Sequence, residues 1–248
     1  MIAPTPTTIA LGLACAGAGL VATTGQGTWR GALAGLAIAF VAILGLGPGA
    51  LLPLGIFVLG SGALTRIGRA RKEAAGAAEA HRGRRGIANV AAKLGLPAFL
   101  GAVGLLVDPA SGAMELVRLM YAAALAAAFA DTAATEVGPI ARGPVWALHG
   151  LRPKRVEHGT PGGVSQAGAL TSVAAAALVG WAASRSDLIL PSQWPLTAAA
   201  GVVATWVESA LAGTALGRSL GHHGRNACLS AVAVSLGGVA WIAMGGHR

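Results

Sequence analysis

The chain has 248 residues, of which 54% are hydrophobic and 11% charged, with a formal net charge of +9. Soluble domains carry roughly 25% charged residues, so this composition cannot cover a water-exposed surface and excludes a soluble globule. Ala, Leu, Val and 38 Gly dominate while aromatics stay at 4%, which suits close helix packing within a bilayer.

About 20 apolar residues cross the hydrocarbon. On that ruler the sequence predicts an all-α, polytopic membrane helix bundle of eight spans, near 7–24, 30–46, 49–63, 87–107, 113–130, 164–184, 195–216 and 227–245. They form one integral-membrane domain over 1–248. Residues 1–29 lack Lys and Arg, so the first apolar run reads as a retained helix rather than a cleaved signal. Cys15 and Cys228 lie in separate apolar runs, which indicates neither a disulfide nor a metal site.

Counted on alternate sides of the eight spans, Lys and Arg divide 15 to 3. Basic loops face the cytoplasm, so both termini are expected outside and the loops 64–86 and 131–163 inside. The net charge then reports orientation and contact with the lipid bilayer, and gives no ground to expect nucleic acid. For a prokaryotic chain the expected location is the plasma (inner) membrane. Both inner loops exceed the usual short helix connection, which marks them for function. No internal repeat is visible, which weighs against a transporter built from inverted halves.

Six of the nine acids fall on the inner side: Glu73, Glu79, Asp131, Glu136, Glu157 and Glu208. Asp131, Glu136 and Glu208 lie in or at the ends of apolar spans, where an ionisable group is costly unless solvated, paired or used. In Ala130–Pro139, Asp131 stands four residues before Thr135, and Thr132 four before Glu136; the two acids are about 140° apart on a helix. Hydroxyl-flanked carboxylates at a wet helix end are hard ligands of the kind Mg²⁺ accepts beside phosphates. Equally, such acids can pair with nearby Arg.

Residues 159–165 read Gly-Thr-Pro-Gly-Gly-Val-Ser. Glycines admit a ligand close to the backbone, and a following helix offers unpaired N–H groups, so Gly159, Thr160, Gly162, Gly163 and Ser165 form a candidate phosphate cradle. The run is also ordinary turn chemistry. Neither a Walker Lys motif nor H-E-x-x-H occurs. The segment 64–93 is basic and welcomes phosphate, though each Arg serves topology equally well. Asn89 enters a span and needs a partner; Asn226 stands at the same depth. His222-His223 read as solvated loop residues.

Taken in order, Leu64-Thr65-Arg66-Ile67-Gly68, Lys72-Glu73-Ala74 with Gly76 and Glu79, Arg85-Gly86, Asn89-Val90, Asp131-Thr132 with Thr135-Glu136-Val137-Gly138, Gly159-Thr160 with Gly162 and Ser165, Glu208-Ser209 with Gly213, and Asn226 resemble the motifs of the transmembrane protein 19 family. That family includes the phytyl-phosphate kinases of plants and cyanobacteria. The likeness runs from about residue 60 to 235. Ala88, Lys93 and Pro161 depart from the pattern.

The resemblance implies a Mg²⁺-dependent phosphotransferase of isoprenoid metabolism. Such an enzyme moves the terminal phosphate of a nucleoside triphosphate, CTP foremost, to a prenyl (phytyl or geranylgeranyl) monophosphate on the cytoplasmic side. It implies Asp131, Glu136 and Asn89 as catalytic residues, and Asp131, Glu136 and Glu208 as metal ligands. Arg66, Lys72, Glu73, Arg85, Thr132, Thr135, the 159–165 loop and Asn226 would bind substrate. A prenyl alcohol kinase, a CDP-lipid-forming transferase, and a transporter or scramblase of phosphorylated lipids are the competing readings.

Overall fold

In the computed structural model, which describes residues 5–67, 86–141, 143–149 and 152–246, the eight expected spans are present as eight helices. They are α1 (Pro6–Thr23), α2 (Trp29–Leu46), α3 (Leu51–Arg66), α4 (Ile87–Gly104), α5 (Gly112–Val137), α6 (Gln166–Arg185), α7 (Trp194–Ala212) and α8 (Ala215–Ala243). Each is long and apolar enough to cross a membrane, α3 and α7 with the 3₁₀ turns Pro48–Ala50 and Pro191–Gln193 that precede them.

Local chemistry starts the helices where they start. Side-chain oxygens of Thr5, Thr28, Ser111, Ser165 and Thr214 accept from the backbone N–H three residues on, satisfying one of the donors that a helix leaves open.

Helix α5 is the axis of the bundle. It packs on α3, α4, α6, α7 and α8, and every residue from Tyr121 to Ala133 is buried. Its alanines make this possible, because small side chains let neighbouring backbones approach. A Cβ added to Gly201 of α7 would fall 2.9 Å from the Ala126 backbone and side chain. By contrast, α1 is the most exposed span and contacts mainly α2.

Two expectations need correction. The segment 131–163 is not one loop: α5 continues to Val137, a 3₁₀ turn covers Gly138–Ile140, and a three-stranded antiparallel sheet follows. Its strands are β1 (Val145–His149), β2 (Arg152–Val156) and β3 (Val164–Ser165), with β1 in the middle. Val145, Trp146 and Val156 are β-favouring residues, and the register pairs Val145 with both Val156 and Ser165. The eighth span begins twelve residues early, at Ala215, and bends at Gly221, whose φ of 64° and ψ of −177° only glycine adopts readily. His222 and His223 are thus helical.

Candidate functional site

The last turns of α5 present two polar faces. Thr132 and Glu136 look toward α3 and α4, while Asp131, Thr135 and Gly138 line a cavity of about 230 Å³. The division follows from the helical repeat of 100° per residue.

Asp131 lies against both neighbourhoods. Its Oδ2 accepts from Lys93 Nζ of α4 at 2.9 Å, and the same ammonium donates to Thr132 Oγ1 at 2.7 Å. Thr132 Oγ1 itself donates to the Ala128 carbonyl at 2.8 Å. Glu136 instead accepts from Thr65 Oγ1 of α3 and does not line the cavity.

The loop expected to cradle phosphate forms part of the cavity wall. Two successive turns build it: Thr160 N–H donates to the Glu157 carbonyl at 3.2 Å, and Gly163 N–H to the Thr160 carbonyl at 2.9 Å. Pro161-Gly162 occupies the centre of the second turn, Gly162 with φ of 78°, as a turn needing positive φ at its third residue demands. A Cβ on Gly162 would fall 2.4 Å from the Ser209 carbonyl of α7. The loop therefore rests directly on the end of α7. Ser165 then caps α6, accepting from Gly168 N–H at 3.1 Å and donating to the Gly138 carbonyl at 3.4 Å. Through that bond the start of α6 is tied to the end of α5.

Opposite stands Glu208 of α7, whose Oε1 accepts from Arg225 Nε at 2.8 Å. Arg225 also donates to the Gly217 carbonyl across the bend of α8. Asp131 and Glu208 repel one another while Lys93 and Arg225 offset them, so the cavity holds two carboxylates with a cation beside each.

Of the residues singled out in the sequence, Asp131, Thr135, Gly159, Thr160, Gly162, Gly163, Ser165 and Glu208 meet at this cavity. Arg66 does not: it donates to the Thr24 carbonyl at the end of α1. Asn226 is buried beside the cavity, with Nδ2 3.1 Å from His222 Nε2. Asn89 lines a different, apolar groove. Lys72, Glu73 and Arg85 lie outside the described residues. The cavity adds His158, Thr205, Ser209, His222 and Arg225. The sequence held a signal for Lys93 as well, since a Lys inside a span needs a carboxylate at its own depth.

Among the described residues no three His, Cys, Asp or Glu side chains converge as a metal shell. The three-carboxylate set Asp131, Glu136 and Glu208 is not assembled, because Glu136 points from another face of α5. Asp131 and Glu208, with the hydroxyls of Thr135, Thr160 and Ser209 in the same cavity, fit a smaller role. Mg²⁺ commonly takes one or two carboxylates and completes its shell with phosphates and water.

The chain matches the family described as Integral membrane protein DUF92 over residues 12–243, and it belongs to that family. It is 39% identical over 127 residues to an uncharacterized membrane protein of Synechocystis sp., covering 51% of this chain and 47% of that protein. The match thus spans about half the length of the curated relative. No solved structure matches.

Proposed function

We propose that this DUF92 chain is a membrane-embedded prenyl-phosphate kinase, transferring the terminal phosphate of a nucleoside triphosphate, CTP foremost, to a prenyl monophosphate. One observation carries the reading. Two carboxylates, Arg225, a Gly-Thr loop and a helix N-terminus surround one small cavity at one end of the bundle, and Lys93 is bonded to one of the carboxylates from outside it.

Phosphoryl transfer asks a protein chiefly for positioning and charge neutralisation. The Gly159 and Gly162 N–H groups, which the two turns do not use, and the open N–H groups in the first turn of α6 suit the nucleotide's phosphate chain. Arg225 and Lys93 would offset its charge. Mg²⁺, when bound between Asp131, Glu208 and those phosphates, would supply further neutralisation. An oxygen of the acceptor monophosphate attacks the terminal phosphorus, the bond to the bridging oxygen breaks, and the nucleoside diphosphate leaves with that electron pair. An acceptor already ionised needs no strong general base. The basic bias of this end supports a cytoplasmic orientation.

The test is incubation of the purified protein in detergent with labelled CTP or ATP, Mg²⁺ and geranylgeranyl or phytyl monophosphate. Formation of the diphosphate is the expected result, and its mass distinguishes this reaction from alcohol phosphorylation or CDP-lipid synthesis. A folded protein that forms no product with any pair would sink the reading.

A further inference from the structure

A second cavity, of about 940 Å³, runs along α1 between α2 and α3. Among the described residues its lining is hydrocarbon and backbone except at three side chains, Gln26, Asn89 and Lys93. All three stand at the end of the bundle that holds the polar cavity: Gln26 follows α1, and Asn89 and Lys93 occupy the first two turns of α4. The lining residues of α1 extend from Pro6 to Val21, a length of roughly 22 Å at 1.5 Å per residue, most of the ~30 Å hydrocarbon thickness. The groove thus has the polarity of a single amphiphile, apolar along its length and cationic at one end.

The capacity left for an anion at that end lies on the ammonium; Gln26 Oε1, buried without a donor among the described residues, is an acceptor and offers an anion nothing. Lys93 uses two of its three N–H groups on Asp131 and Thr132. A long, hydrocarbon-lined groove beside a buried ammonium suits a hydrocarbon chain with an anionic head. Volumes of about 300–1,000 Å³ are those that enclose a ligand rather than a solvent cluster.

We infer that this groove seats the hydrocarbon chain of the phosphorylated acceptor, with the acceptor's anionic head at Lys93. Because Lys93 also holds Asp131, one side chain joins the lipid groove to the polar cavity, and a head group bound there competes with Asp131 for the ammonium. The inference rests on the kinase reading for the identity of the head group.

Gly35 and Gly55 line the groove, and a Cβ added at either would meet no atom within 4 Å. Gly35→Phe and Gly55→Phe therefore start their side chains in open space at the groove wall. The measurement is equilibrium binding of labelled geranylgeranyl monophosphate to the full chain in detergent, without nucleotide, alongside geranylgeraniol and a two-chain phospholipid. Both Phe variants are expected to weaken the monophosphate by about tenfold or more, and Lys93→Gln to weaken the monophosphate while sparing the alcohol. Unchanged affinity in both Phe variants, or preference for the two-chain phospholipid, overturns the inference. If the Phe variants lose the lipid but the native chain never transfers phosphate, the groove stands and the kinase reading falls. If transfer occurs and the Phe variants bind and turn over normally, the reverse holds.

Discussion

Lys93 Nζ and Asp131 Oδ2 lie 2.9 Å apart with each side chain 6% exposed. The pair joins α4 to α5 at the boundary between the apolar groove, which Lys93 lines, and the polar cavity, which Asp131 lines. A charge at this depth is tolerable only with its partner, since desolvation is offset by the mutual attraction and by the bond to Thr132.

Removing one member should therefore harm the fold more than removing both. Lys93→Met or Asp131→Leu alone is expected to cost about 3–5 kcal/mol, and the double replacement to recover most of that loss. Thermal unfolding of the four proteins in one detergent, read as a double-mutant cycle, checks this. A loss in the double variant equal to the sum of the two single losses would show that the pair is not coupled.

The glycine loop offers a contrast within a few residues. Gly162 has φ of 78° and its Cβ would strike the Ser209 carbonyl, whereas Gly159, at φ of 88°, has open space. Gly159→Ala should cost only the conformational strain, about 1 kcal/mol. Gly162→Ala should in addition lift the loop off α7 and abolish nucleotide-dependent transfer. Comparable activity in both variants would contradict the packing argument.

The acids should separate by their response to metal. Asp131→Asn and Glu208→Gln are expected to raise the Mg²⁺ concentration for half-maximal turnover about tenfold or more. Glu136→Gln should leave it near the native value and instead weaken the α3–α5 junction by about 1 kcal/mol, because the carboxamide oxygen still accepts from Thr65 and only the charge assistance is lost. Titration of activity with Mg²⁺, beside unfolding curves, distinguishes the two effects. A matching Mg²⁺ shift for Glu136→Gln would restore it to the metal site.

Gly221 sets the direction of the second part of α8 and with it Arg225 and His222. Its backbone conformation is open to glycine only, so Gly221→Ala should cost about 1–3 kcal/mol. It should also disturb the Glu208–Arg225 pair, because Arg225 bonds across the bend to Gly217. Unfolding measurements that show no loss would mean that the bend is readily straightened.

How far the sequence reached differs between fold and site. The spans could be read because each is a property of one stretch: a run of about 15 to 22 mostly apolar residues bounded by polar, Gly or Pro residues. The sheet could not, since Val145–His149 is too short and too mixed to declare itself without Arg152–Val156 and Val164–Ser165 across from it. The bend at Gly221 was equally hidden, because the local pattern His222-His223-Gly224-Arg225 is as polar as a loop and becomes helical only against α7.

At the site, the depth of Asp131, Glu208 and Asn226 followed from their positions in the spans, and the Gly-Thr loop from its composition. Their partners did not. Asp131 and Glu136 look alike as two acids near one helix end, yet one meets Lys93 and a cavity and the other Thr65. The sequence by itself determined a bundle of eight apolar spans with an uneven distribution of charge, because transfer into hydrocarbon is a sum over each segment's own residues. Tertiary structure alone decided which polar groups face one another. That depends on how each helix is rotated about its axis, and the rotation is set by neighbours packing against the alanines of α5, which no single segment specifies.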